Sequence, residues 1–265
     1  MAMLAWTVSM SGALATERYF TYTYEPEVFP QGAAEFEKWV TLRTQRSKDV
    51  GQENFNRWEL REEFEYGVTD NYTAAFYINL LQSTNYKDPT TGDTVSETEF
   101  KGVSIENSYM LLNPAEHPIG FTLYFEPSYS GDEAEVEEKI IIGQRHGDWK
   151  WALNLVNETE WNLNGGGSEG VFEVDFGITR HLNPRWSLGI EFRNHNIIPS
   201  YDDWEFTAFF IGPVVSYSVE NWWATLTVLP QFWGKNTGGG PTPVDGFELQ
   251  EHEYVNVRLI FGIGF

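Results

Sequence analysis

From Val255 to Phe265 the odd positions Val255, Val257, Leu259, Phe261, Ile263 and Phe265 are all apolar. The even positions hold Asn256, Arg258, Gly262 and Gly264, with Ile260 the one exception. Successive side chains of a strand point to opposite faces, so this segment has one apolar face and one polar or small face. A strand of that kind suits a sheet with lipid on one side and water on the other.

The same period of two runs upstream. Val40, Leu42 and Thr44 alternate with Thr41, Arg43 and Gln45, and Trp58, Leu60, Phe64 and Tyr66 with Arg57, Glu59, Arg61, Glu63 and Glu65. After a turn at Thr69-Asp70-Asn71 come Tyr72, Ala74, Phe76, Ile78 and Leu80 on one face, then Val103, Ile105, Tyr109 and Leu111, then Ile119, Phe121, Leu123 and Phe125. Ile140 and Ile142 mark a weaker strand before Trp149, Trp151, Leu153 and Leu155. Phe172, Val174, Phe176 and Ile178 follow, then Trp186, Leu188, Ile190 and Phe192. Segments 204–218 and 222–233 are apolar enough to leave their facing open. This predicts an all-β fold, a transmembrane antiparallel up-and-down β-barrel of about twelve strands. Short connections at 69–71, 113–118, 146–148, 181–184 and 219–221 alternate with looser ones at 47–53, 84–97, 130–132, 163–168, 196–203 and 234–246. The loops are modest, and none is long enough to suggest a plug.

Other classes fall on simple arithmetic. A membrane helix needs about 18 mainly apolar residues in a row. The longest uncharged run in the mature region, 71–86, has 16 residues and contains Asn, Gln, Ser and Thr. With 17 basic and 39 acidic residues the formal charge is 17 − 39 = −22, so a basic footprint for nucleic acid is missing. The chain has no Cys, which removes disulfides and thiolate chemistry. It carries 11 Trp, 13 Tyr and 19 Phe yet has a mean hydropathy of −0.39, a pairing that fits a barrel with an apolar outside and a polar inside. A soluble β-sandwich would have to bury the odd face of 255–265 against a second sheet.

Residues 1–15 read as a signal peptide with a truncated start: 4–14 is weakly apolar and Ala13-Leu14-Ala15 has a small-x-small cleavage form, but no Lys or Arg precedes Arg18. Residues 16–34, with Pro26 and Pro30, read as a periplasmic N-terminal extension, either an extended leader or a segment tucked into the barrel mouth. Residues 35–265 form the barrel.

The terminal pattern resembles the C-terminal signal of bacterial outer-membrane barrels, an aromatic last residue with apolar residues two and four before it, here Phe265, Ile263 and Phe261. That family often has Gly where this chain has Ile260. The stretches Glu65-Tyr66-Gly67-Val68-Thr69-Asp70 and Leu112-Asn113-Pro114 through His117-Pro118-Ile119-Gly120 are similar to those of an uncharacterised group of such barrels. The resemblance spans about residues 30–265 and implies a porin-like fold, an outer-membrane location with periplasmic termini in a Gram-negative cell, and insertion by the barrel-assembly machinery. It implies no particular activity.

By the alternation, Arg43, Arg57, Glu59, Arg61, Glu63, Glu106, Glu126, Glu137, Lys139, Glu158, Glu160, Glu173, Asp175, Glu191, Arg193 and Arg258 face the lumen, ten acids against six bases. These residues predict a narrow passive channel for small solutes with an acidic, cation-preferring lumen. The alternative is a non-conducting structural or partner-binding barrel filled by salt bridges. An outer-membrane hydrolase is a distant third, because His195, Asp202, Asp203 and His252 fall near predicted rims on strands that are not neighbours. His117, His146 and His181 sit in turns without metal-ligand spacing. The run Gly165-Gly166-Gly167-Ser168-Glu169-Gly170 precedes a strand, so it reads as a loop and not a dinucleotide fingerprint. Trp58, Tyr66, Tyr72, Tyr109, Trp149, Trp151, Trp186 and Trp222 read as interfacial girdles. No enzyme activity, cofactor or metal is expected. The expected partners are outer-membrane lipid, lipopolysaccharide and small solutes.

Overall fold

The computed structural model describes residues 17–46, 55–88, 90–201, 203–238 and 246–265. The predicted signal peptide lies outside the described residues. The described chain is all β, in the order β1 (Ala34–Thr44), β2 (Asn56–Thr69), β3 (Tyr72–Lys87), β4 (Thr94–Glu99), β5 (Val103–Leu112), β6 (Gly120–Tyr129), β7 (Glu133–His146), β8 (Trp149–Asn162), β9 (Gly167–Asn183), β10 (Trp186–Pro199), β11 (Phe206–Val219), β12 (Trp222–Asn236) and β13 (Val255–Gly264). Apart from β4 and β5, which do not pair, every sequential pair is antiparallel; β1 also pairs with β13, and β3 with β5, so twelve strands close into a barrel. The thirteenth, β4, is short and pairs only with the far end of β3. It overlaps 84–97, expected to be a loose loop; there β3 runs on to Lys87 and folds back. Closure removes free sheet edges, as lipid requires.

Both ends of the barrel strands, Ala34 and Gly264, lie at the end that carries the short turns, called here the turn end. The opposite, loop end carries the longer connections. Ten residues at about 3.3 Å each, tilted by about 40°, reach about 25 Å along the axis, the height of an apolar membrane belt. The outer wall has that character. Leu188, Ile190, Ile105, Leu123 and Leu259 are exposed in its middle, and Trp149, Trp186, Tyr66 and Tyr109 near the turn end. Phe265 stacks on Phe64 at a centroid distance of 6.1 Å, joining the last residue to β2 across β1.

The terminal strand keeps its predicted facing, and its exception has a cause. Leu259 is 41% exposed while Ile260 is fully buried. Ile260 packs with Trp39 and Trp223 inside the barrel. Gly262 is small because the Trp223 ring lies across it; a Cβ there would come within 2.4 Å of that ring.

The β1–β2 seam reverses the usual pattern. Trp39 points inward, and Lys38 points outward to Glu62 at 2.7 Å, with Phe36, Val40, Leu60 and Phe64 as same-face neighbours. Replacing Lys38 alone by Leu strands Glu62 in an apolar belt and is expected to cost about 1–3 kcal/mol. The double variant Lys38→Leu, Glu62→Leu is expected to match or exceed the parent. Urea midpoints in detergent micelles decide it: a double variant no better than the single one contradicts the expectation.

A plugged lumen as the candidate functional site

The residues before β1 fill the turn-end half of the lumen. Glu17 enters at β11, where it accepts the Ser218 hydroxyl. The chain rises to Tyr22, returns past Pro26, whose carbonyl accepts the Thr122 hydroxyl at 2.9 Å, and leaves at the turn end, where the Gln31 N–H donates to Asp70 at 3.0 Å. Of the two expectations for this segment, the structure has the inserted one. Phe20, Thr21 and Thr23 are fully buried.

Such a segment has no ladder of its own, so the wall must satisfy its backbone. Glu191 on β10 accepts the N–H groups of Tyr22 at 2.7 Å, Thr23 at 2.6 Å and Thr21 at 3.2 Å, and also the Thr227 hydroxyl at 2.7 Å. Asn154 on β8 pairs with both backbone groups of Tyr24, at 2.6 and 2.9 Å. Thr73 accepts the Phe29 N–H at 2.8 Å.

Apolar contacts complete the seat. Phe20 and Tyr19 pack on Ala152 and Val214, and Tyr22 on Ala208, Phe210 and Leu229. These contacts explain why 204–218 and 222–233 read as apolar on both faces: one face meets lipid and the other meets the plug. Gly177 on β9 makes room for Phe20, since a Cβ there would stand 2.4 Å from its ring. Gly177→Val is therefore expected to unseat the plug, and limited trypsin digestion of the folded protein should then cut after Arg18 at least ten-fold faster. Unchanged protection would contradict this seating.

Above the plug lies a cavity of about 280 Å³, at the lower edge of small-molecule sites. Its charged lining is seven acids (Glu59, Glu126, Glu135, Glu137, Glu158, Glu173, Asp175) and six bases (Arg43, Arg61, Lys101, Lys139, Arg193, Arg258). They are segregated. The four arginines stand on β1, β2, β10 and β13, and six of the seven acids on β6 to β9. Three arginines are paired: Arg43 with Glu59 at 3.1 Å, Arg61 with Glu126 at 2.5 Å, and Arg193 with Glu173 through two bonds of 2.7 and 2.8 Å. Arg258 stacks on the Tyr22 ring at 3.8 Å and donates to Thr41 and to the Thr21 carbonyl. Glu135 and Glu158 have no ion pair among the described residues and lie beside Glu137, which binds Lys139 at 2.5 Å.

All sixteen predicted lumen residues point inward, but not into one space. Eleven line the cavity: Arg43, Glu59, Arg61, Glu126, Glu137, Lys139, Glu158, Glu173, Asp175, Arg193 and Arg258. Glu63, Glu106 and Glu191 are sealed beneath or against the plug, and Arg57 and Glu160 stand towards the loop end. Sequence reasoning missed Glu35 and Glu37, left Glu65 out of the lumen set although it placed it on the charged face of its strand, and missed the plug cation Arg18, which stacks on Tyr24 at 4.0 Å and pairs with Glu37 at 3.4 Å; the three glutamates are buried inside.

Two expectations need correction at the loop end. The connection before β13 does fold inward, with Glu248, His252 and Glu253 buried. Gln231 holds it, donating to the Glu248 carbonyl at 2.7 Å and the Glu253 carbonyl at 3.0 Å. His195 and His252 also converge, Nδ1 to Nε2 at 2.7 Å, because this inward fold carries His252 across β11 and β12. His252 Nδ1 meets Glu248 and His195 Nε2 lies 3.5 Å from Glu173. Each of the four ring nitrogens thus faces a neighbouring side chain. Asp203 is exposed, and Asp202 lies outside the described residues. His117 and His146 are exposed in or beside turns, while His181 packs edge-on against Tyr19.

The model of a family of unknown function (DUF6662) matches residues 12–140 and 143–265. No curated protein matches the chain in sequence. Among solved structures the chain is similar to the COG4313 outer membrane channel from Pseudomonas putida F1, with a TM-score of 0.61 and 13% identity, covering 93% of this chain and 100% of that one. It is also similar to the NanC porin, with a TM-score of 0.51 and 11% identity over 86% of this chain and 98% of that one. At these identities the likeness is one of fold.

Proposed function

The chain belongs to the family of unknown function DUF6662, and we propose that it is an outer-membrane channel for small polar solutes, gated by its own N-terminal segment. The outer-membrane reading is supported by the closed barrel, its apolar belt and its likeness to an outer-membrane channel and a porin. The turn end then faces the periplasm, as short turns do in such barrels. The observation that carries the channel reading is the charged cavity over the plug. A wall of arginines, three of the four paired, faces a wall with spare carboxylates, so the field across the cavity favours neutral and cationic solutes over anions.

The plug favours a second reading, a barrel that stays shut. Its backbone is bonded to β3, β8 and β10, and buried side chains pack against it. One measurement separates the two. Refolded full chain and a variant lacking residues 17–33 are compared in planar bilayers under a KCl gradient. The channel reading expects small or intermittent currents from the full chain, a several-fold larger conductance without the plug, and a reversal potential on the cation side. Silence from both proteins would make the barrel non-conducting. Anion-side reversal would end the cation preference while leaving the channel.

A further inference from the structure

Under the plug, at the turn end, five glutamates converge: Glu35 and Glu37 of β1, Glu63 and Glu65 of β2, and Glu106 of β5. They form two triads, Glu35-Glu37-Glu65 and Glu63-Glu65-Glu106, each with ligand oxygens within 4.8 Å of one another, and Glu65 belongs to both. All five are buried. Arg18 is the cation that pairs with the group, through Glu37. Carboxylates this close and this dry are not tolerated as bare charges; they must share protons or hold a cation.

The way they are held points to a cation. Trp223 donates its indole N–H to Glu35 at 2.9 Å, and Trp39 donates to Glu37 at 2.7 Å and to Glu63 at 3.1 Å. In Glu37 and Glu63 the bond to Trp39 fixes Oε2 and leaves Oε1 to point elsewhere. Glu37 Oε1 and Glu63 Oε1 are fully enclosed and accept no hydrogen bond, although Glu37 and Glu63 are only 0% and 1% exposed. Outer hydrogen bonds that orient carboxylates while their second oxygens stay free are the arrangement of a metal's outer shell. A small cavity of about 50 Å³ adjoins the group, lined by Glu65 and Glu106 and by the plug's Arg18, Glu25 and Glu27.

We propose that Glu35, Glu37, Glu63, Glu65 and Glu106 bind a divalent, oxygen-seeking cation of the calcium class, centred on Glu65, between the barrel wall and the plug. An all-oxygen carboxylate set excludes the softer metals that seek sulfur or imidazole and suits Ca²⁺, whose ligand number is flexible. No metal was expected from the sequence, because the ligands are spread over three strands and share no local spacing. The site stands whether or not the barrel conducts. Its bound ion tightens the turn-end half of the lumen, where Arg18 carries the plug into the same cluster.

Trp39 and Trp223 supply the readout, because a lanthanide that takes a calcium site beside an indole emits when that indole is excited. Refolded full chain is titrated with Tb³⁺ under tryptophan excitation, then with Ca²⁺ as competitor. The site requires saturable emission at one or two Tb³⁺ per chain, displaced by Ca²⁺. It also requires a rise in unfolding midpoint with Ca²⁺ that EDTA reverses. Glu65→Gln should remove at least nine-tenths of the emission, and Glu106→Gln serves in its place if that variant does not refold. The cavity cluster is the control: Glu135→Gln, Glu137→Gln, Glu158→Gln together should leave the emission unchanged. Absence of saturable emission from the folded parent overturns the proposal in favour of shared protons. Loss of emission only in the triple variant overturns it in favour of the cavity cluster.

Discussion

Glu191→Ala is expected to release the N-terminal plug. One carboxylate accepts the three N–H groups of Thr21, Tyr22 and Thr23 at the apex of the segment, and the Thr227 hydroxyl besides. Hydrogen bonds to a charged group are worth about 1.5–3 kcal/mol each, but those sharing one acceptor do not add fully. A loss of about 3–5 kcal/mol in docking follows, which shifts the seated-to-free ratio by about 10²–10⁴. Two readouts follow that ratio. Trypsin cleavage after Arg18 should accelerate by about the same factor, and in bilayers the open fraction should approach that of the protein lacking residues 17–33. Glu191→Gln keeps an acceptor but loses the charge and turns an N–H₂ group on the plug's own donors, so it should fall between. The barrel does not depend on Glu191 for its ladder, so heat-modified migration on gels should stay that of a folded protein. A Glu191→Ala protein with parental protection and parental current would mean that the plug is held elsewhere.

The barrel was legible because lipid and water impose a period of two on every strand. Val255 to Phe265 carries that period to its end, and the inward facing of Arg43, Arg193 and Arg258 follows from it. The plug was legible only as one of two alternatives, because residues 17–33 lie in no ladder and carry no period. Its trace was nevertheless present in the strands. Phe210, Leu229 and Ile260 are apolar at lumen positions and Gly177 is small at one, and such residues need something packed against them. These read as noise in the pattern until the segment that covers them is known. Glu35 and Glu37 escaped for a related reason: the next two residues, Lys38 and Trp39, have the opposite polarity to their faces, which broke the alternation just where β1 begins. The meeting of His195 and His252 depends on a loop folding back over two strands, and strand periodicity carries no information about loops.

Arg193→Ala is the substitution expected to weaken the folded barrel most. The guanidinium grips Glu173 by two parallel bonds and lies 5.0 Å from the Tyr22 ring centroid. Asp175, buried beside it, has an oxygen that accepts no hydrogen bond. Removing the arginine therefore leaves two enclosed carboxylates on β9 without their nearest guanidinium, and breaking a buried pair from one side costs about 3–5 kcal/mol. Arg193→Lys keeps the charge but offers a single compact donor in place of the planar fork, so about half of that loss should remain. The double variant Arg193→Met, Glu173→Leu removes both charges and should recover most of the parent's stability, since the expense of a buried pair lies in desolvation and not in its presence. Urea midpoints in one detergent, converted with a common slope, rank the four proteins. A double variant as weak as Arg193→Ala would show that Arg193 acts through Tyr22 and the plug; in that case Tyr22→Leu should reproduce its loss.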